Sequence, residues 1–190
     1  DKIICVSEST KRDLVKIFPS VGESRVVVIP EAIPSRLAPT PTSQEIKAIK
    51  TRYSLDDFIV SIGTLQPRKN IVRLINAYLN FRIALNLPSK LVIIGGKGWG
   101  DSPIPESDSV VFTGHLPNGT IASLVRGALV YAHPSLYEGF GLSILVAFHH
   151  HVPVVTSNIS SLPEVAGDAA ILVDPYSEES IAQGLALALK

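Results

Sequence analysis

The feature that most constrains this chain is an alternation. Short, continuous runs of β-branched and aliphatic residues recur along its 190 residues, separated by stretches that carry helix caps or helical spacing. The runs are Ile3–Val6, Arg25–Ile29, Phe58–Ile62, Leu91–Ile94, Val110–Thr113, Leu129–Ala132, Val152–Thr156 and Ala170–Val173. Unbroken apolar runs, rather than alternating ones, are what strands covered on both faces require. Between them Ser7 can cap a helix reaching Phe18, with Pro19 as its stop, and Ser43 can cap one to Thr51 with Glu45 in its first turn. After Asn70, residues Ile71, Leu74, Ile75 and Tyr78 keep one helical face apolar. Pro117–Gly127, Leu142–His149 and Ser177–Lys190 supply further helices, and Ser161 with Glu164 has capping-box spacing. Strand and helix in alternation predict a Rossmann-like, doubly wound parallel sheet with right-handed crossovers, in one α/β domain spanning residues 1–190. The proline-rich stretch from Pro30 to Pro41 reads as a loop within that domain.

Composition narrows the function. Hydrophobic residues make up 46% and charged residues 18%, which provides for a large interior and argues against disorder. Lys plus Arg equals Asp plus Glu at 17 each, so the basic face that a nucleic-acid binder needs is not expected. Cys5, the single cysteine, lies in an apolar run and reads as a small buried hydrophobe. No apolar run approaches the roughly 20 residues of a membrane span. The start carries neither an initiator methionine nor a signal-peptide pattern. These features suggest an excised piece of a soluble or peripheral protein, expected in the cytoplasm.

Ligands of doubly wound sheets sit at the carboxyl ends of strands, where the strand order reverses. Three loops there stand out. Gly63 to Asn70 places Arg68 and Lys69 side by side before a helix N-terminus, an arrangement suited to a diphosphate, though a solvated basic turn has the same appearance. Ile94 to Gly100 sets four glycines around Trp99 and suggests backbone room for a bound group. It lacks the G-x-G-x-x-G fingerprint, so a nicotinamide cofactor is not expected. Pro134 to Leu145 carries Glu138 among glycines and leads directly into a helix, so amides near Gly141 and Leu142 would face whatever binds.

This third loop resembles the E-x7-E region of the retaining GT-B glycosyltransferases of family 4. Further segments resemble that family in the same order: Val6 to Ser9, Gly63 to Asn70, Val92 to Trp99, Phe112 to Gly114, Ser157 to Asp168 and Val173 to Pro175. The resemblance covers nearly the whole chain, and its flavour is that of bacterial mannosyltransferases. It implies the C-terminal, donor-binding half of a two-domain enzyme that works with an N-terminal acceptor-binding domain, through which alone the protein would touch a membrane. Arg68 and Lys69 would hold the diphosphate of a nucleoside diphosphate sugar, and Glu138 would meet the sugar hydroxyls. Gly63, Gly139, Phe140, Gly141 and Leu142 would line the donor. Neither a metal nor another cofactor is implied, because cations and a helix N-terminus would neutralise the leaving diphosphate.

Two departures fall inside that region. The second glutamate of the motif would stand at position 146, which holds Val146. In the family that carboxylate grips the ribose, and its loss costs about 1.5–3 kcal/mol, or roughly ten- to hundredfold in affinity. Downstream, Phe148-His149-His150-His151 replaces small residues, with His151 at a helix end where glycine is usual. The three histidines read as exposed imidazoles at a helix end rather than as metal ligands, which would sit three or four apart. His133 reads as a satisfied strand-end histidine. The alternative function is a degenerate, non-catalytic nucleotide-sugar-binding or interaction module of the same fold. A nucleotide-sugar epimerase of related fold fits the Glu138 loop less well.

Overall fold

The computed structural model describes residues 1–37, 39–88, 90–96, 98–99 and 104–190. Each run expected to be a strand is one: β1 (Ile3–Cys5), β2 (Val26–Val28), β3 (Phe58–Ile62), β4 (Lys90–Ile94), β5 (Val110–Gly114), β6 (Val130–His133), β7 (Val154–Ser157) and β8 (Ala170–Val173). The helices are α1 (Glu8–Ile17), α2 (Ser43–Arg52), α3 (Ile71–Phe81), α4 (Asn118–Gly127), α5 (Leu142–His149), α6 (Leu162–Ala166) and α7 (Glu178–Ala188).

Six strands form a parallel sheet in the order β5-β4-β3-β6-β7-β8. The expectation of one sheet fails at its N-terminal end, because β1 and β2 pair with each other in a separate two-stranded parallel sheet. Pro30, Pro34, Pro39 and Pro41 follow β2 closely. Without N–H groups and with φ fixed, they favour an extended course rather than a crossover back onto β2.

The large sheet separates two apolar layers, as its period of two demands. Ile59, Leu91, Ile93 and Val130 face α3 and α7, whereas Phe58, Val60, Val92 and Tyr131 face α2, α4 and α5. Burying such a side chain fully contributes about 1.5–3 kcal/mol. The chain runs outward from β3 to β5 and then returns to β6 beside β3, so the strand order reverses between β3 and β6. The loops after these two strands therefore meet at the switch point where such sheets bind ligands.

Several helix ends behave as expected. The Ser7 hydroxyl accepts from the Thr10 amide, and Ser177 does the same for Ser180. One cap lies a residue earlier than anticipated. Thr42, extended at φ −74° and ψ 157°, caps α2 in a reciprocal box with Glu45, while Ser43 is already helical. The Ser161–Glu164 box does not form, and both side chains are used elsewhere.

Candidate functional site

The loop after β3 makes a short 3-10 turn over Pro67–Lys69 and then passes Asn70 at φ 58°, a left-handed conformation that asparagine tolerates. The buried Asn70 amide donates to the carbonyls of Pro134 (2.9 Å) and Pro175 (2.7 Å), which fastens the loops after β3, β6 and β8 together. The Leu136 amide adds a bond to the Arg68 carbonyl at 2.7 Å. Gly63 leaves space beside the Lys69 stem, since a Cβ there would lie 3.4 Å from its Cγ and Cδ.

These fastenings bring Arg68, Lys69 and Glu138 into one cluster. Glu138 is 8% exposed. Its Oε2 accepts from Arg68 Nη1 at 2.9 Å and its Oε1 from Lys69 Nζ at 2.5 Å. A third partner, His133, was not expected here. Its ring is 2% exposed, with Nε2 lying 3.1 Å from Glu138 Oε1 and 3.2 Å from Ser135 Oγ, while Nδ1 lies 3.3 Å from the Tyr131 hydroxyl. A neutral ring that accepts from Tyr131 at Nδ1 and donates from Nε2 to the carboxylate satisfies this geometry. Reading His133 as satisfied at a strand end was correct, but its partner is the central carboxylate. No local spacing rule connects residues five apart across a turn. Burial by itself would push the Glu138 carboxyl up, yet the His133 hydrogen bond and the Lys69 ammonium outweigh it and hold the group well below the usual range. Burial pushes the His133 imidazole down, Glu138 offsets part of that, and the two cations add to the fall.

From residue 133 to 140 the loop's carbonyls are drawn inward by donors. Thr156 donates to the His133 carbonyl, Ser157 to that of Ser135 and Arg68 to that of Tyr137. Ser160 and Ser161 donate to Glu138, Ser7 and Thr10 to Gly139 at 2.7 and 2.9 Å, and Ser161 also to Phe140. The amides follow the opposite pattern. No hydrogen bond among the described residues uses the N–H of Gly139, Phe140, Gly141 or Leu142. Gly141 has φ 116°, which an L side chain rarely adopts, and it turns the chain into α5 with these donors unspent. A row of free amides at the start of a helix, beside two cations, favours an anion.

The displaced capping residues explain how α1 is seated. Glu164 receives the Glu8 amide at Oε1 (2.8 Å) and the Ser9 amide at Oε2 (3.3 Å), so a carboxylate from α6 closes the first turn of α1. Tyr137 donates to Asp13 at 2.8 Å. Thus α1, preceding the six-stranded sheet in the chain, packs on the Glu138 loop.

Other expected features depart further. The room made by the glycine loop is occupied by the protein itself. A Cβ on Gly95 would stand 2.2 Å from the Gly63 carbonyl oxygen, and one on Gly98 would stand 2.3 Å from that of Leu65. Lys97 and Gly100 of that loop lie outside the described residues. Val146 is 6% exposed and joins the apolar layer with Leu124, Tyr131 and Ile144, so it offers no polar group. The histidine run is not uniformly exposed. His149 and His151 face solvent while His150 is buried, with its Nε2 unpartnered among the described residues. His151 takes φ 56°, and the amides of His151 and Val152 bond back to Phe148 and Ala147, so histidine fills the left-handed position of a Schellman end. Among the described residues no group of three or more His, Cys, Asp or Glu side chains could hold a metal, and no helix is long and apolar enough to cross a membrane.

The chain is similar to known proteins in sequence and in shape. Over 187 residues it is 31% identical to an O-antigen chain mannosyltransferase B of Escherichia coli, covering 94% of this chain and 49% of that protein. It is likewise 31% identical to a serotype-specific mannosyltransferase, WbdA, of Escherichia coli, covering all of this chain and 24% of the relative. Thus it spans half or less of these relatives. WaaG, a glycosyltransferase involved in lipopolysaccharide biosynthesis, superposes with a TM-score of 0.79 at 17% identity over 99% of this chain and 53% of its own. HepE from Anabaena, solved in complex with UDP-glucose, superposes at 0.80 and 18% identity, over all of this chain and 54% of its own. Residues 42–190 match the profile described as glycosyl transferases group 1, and the chain belongs to that family.

Proposed function

We propose that this chain is the donor-binding half of a retaining glycosyltransferase and holds a nucleoside diphosphate sugar where β3 and β6 end. The observation that carries this reading is the pairing of two cations with a row of unspent amides around one buried carboxylate. Arg68, Lys69 and the N–H groups of Gly139 to Leu142 receive the diphosphate. As the leaving phosphate gains charge these donors already point at it, which lowers the barrier without a metal. Without a donor molecule the Glu138 carboxylate engages both cations. A bound diphosphate takes over those cations and frees Glu138 to accept hydroxyls of the sugar. Membership of the family and the mannosyltransferase names of the relatives support a hexose donor with mannose as the sugar. Coverage of about half of the first relative supports an acceptor site on a further domain, with residues 1–190 as the donor unit.

Titration calorimetry with UDP, GDP, ADP and their sugar conjugates tests the reading. One base should bind at micromolar to low-millimolar affinity. Changing Arg68 and Lys69 together to alanine should weaken it at least a hundredfold, since each loses a charge-assisted contact of about 1.5–3 kcal/mol. A folded chain that ignores every nucleotide sinks the proposal. Val146 motivates the second reading, a module that keeps the fold and has lost donor affinity.

A further inference from the structure

The turn that carries Arg68 and Lys69 has a second side. Beyond it, on the α3 and α7 face of the sheet, lies a cavity of about 310 Å³ lined by Gln66, Arg73, Asn76, Trp99, Leu136 and Glu178 among others. This is the opposite face from Val146, which packs in the α4 and α5 layer. The cavity therefore does not adjoin the position where the family's ribose contact would stand, although it shares the switch-point rim with Glu138.

Its chemistry points to one kind of ligand. Trp99 is the chain's single tryptophan and is 64% exposed, and Tyr176, 63% exposed, lies nearby with its ring 5.9 Å from the Arg73 guanidinium. Trp99, a large aromatic face left in water at the rim of the cavity, is an apolar platform. Beside it the lining joins apolar side chains, among them Leu65, Ile71 and Ile104, to polar ones. Arg73 is engaged by the Asn70 side chain (2.6 Å), and Glu178 by Asn80 (3.1 Å). The amides of Gln66 and Asn76 have no hydrogen-bond partner among the described residues. Among the described lining residues the charged groups are one cation, Arg73, and one carboxylate, Glu178, a balance that suits a neutral ligand. An aromatic face, unspent amides and a neutral field together suit a ring that is apolar on its flat side and rich in hydroxyls at its edge. The volume is at the lower end for ligand sites and admits a pyranose.

We propose that this cavity binds a saccharide, with Trp99 against the ring face and Gln66 and Asn76 on its hydroxyls. Its assignment to a part of the growing glycan away from the acceptor site on the further domain rests on the donor-binding reading above, whereas the saccharide binding does not.

The lone tryptophan makes the test direct. Emission of the 190-residue chain is followed while α-linked mannotriose is added, with heat measured in parallel. Saturable change in the millimolar range is expected, and Asn76→Ala with Gln66→Ala should weaken the calorimetric affinity about tenfold without lowering the melting temperature. UDP and GDP are titrated into the same sample. Nucleotide binding with no response to mannotriose overturns this inference and leaves the donor reading standing. A response to mannotriose without nucleotide binding does the reverse. Mannotriose binding that survives both alanine changes, or that any nucleotide displaces competitively, also overturns the assignment of this cavity. A folded sample silent to both ligands overturns both.

Discussion

Two glycine-bearing loops leave this sheet, one after β4 and one after β6, and in sequence each looks shaped for a ligand. The structure separates them. The loop at Gly95 and Gly98 is glycine-rich because the neighbouring loop's carbonyls pass where side chains would be. The loop at Gly139 and Gly141 has its carbonyls drawn in by serine and threonine hydroxyls, and its amides are unspent. A glycine can therefore mark an approach of the protein to itself or an approach by something else. Only the destination of the backbone polar groups tells the two apart.

The sharpest way to break this contrast is a pair of alanines. Gly95→Ala should destabilise the fold by about 3 kcal/mol, because the clash is with backbone that cannot swing away. In thermal unfolding Gly139→Ala should stay within about 0.5 kcal/mol of the parent, since its nearest neighbour would be 3.9 Å away. Equal losses at the two sites would end the distinction.

Next in size is Val146→Glu, which asks whether the helix that follows this loop, α5, is merely one carboxylate short. Nucleoside diphosphate affinity should rise roughly ten- to hundredfold, while the buried charge lowers the melting temperature. Unchanged affinity would favour the non-catalytic module. Glu138→Gln is a smaller step. Removing the carboxylate that engages Arg68 and Lys69 should tighten free diphosphate binding about tenfold and reduce the preference for the sugar conjugate. Calorimetry with UDP or GDP against UDP- or GDP-mannose reads both effects.

The least effect concerns pH. Both His133 and Glu138 titrate lower in the folded protein than in the unfolded chain, so acid loads protons onto the unfolded state and stability is lost as pH falls. The loss should begin near pH 6.5 through the imidazole and continue below about 4.3 through the carboxyl. In His133→Gln, melting temperatures recorded from neutral to acid pH should lose the first part of that decline and keep the second. An unchanged profile would show that the ring is not held neutral beside Glu138.

Much of this was legible in the sequence because its signals are local. Phe58–Ile62, Ala170–Val173 and Leu142–His149 form as their apolar patterns and end residues dictate, and the loops after β3 and β6 stand out by their own glycines and charged residues. The left-handed His151 was legible too, since helix termination is a matter of a few residues. What escaped depends on partners far along the chain. Glu164 has the spacing to serve Ser161, yet it closes α1 from more than 150 positions away. The separate pairing of β1 with β2, the filled space at Gly95 and the seat of His133 beneath Glu138 are likewise settled by packing that no local pattern encodes.

The seating of α1 has a mechanical consequence. Its first turn is gripped on one side by the Glu164 carboxylate and on the other through the Gly139 carbonyl, while Asp13 is tethered to Tyr137. A helix of 10 residues is about 15 Å long, so its far end, where Ile17 and Phe18 lie exposed, is the long arm of a lever whose fulcrum is the loop that carries Glu138. A tilt imposed at that end is not absorbed by a slack linker. Transmitted through these contacts, it would shift the backbone that carries Glu138, which makes the outer tip of α1 a handle on that loop.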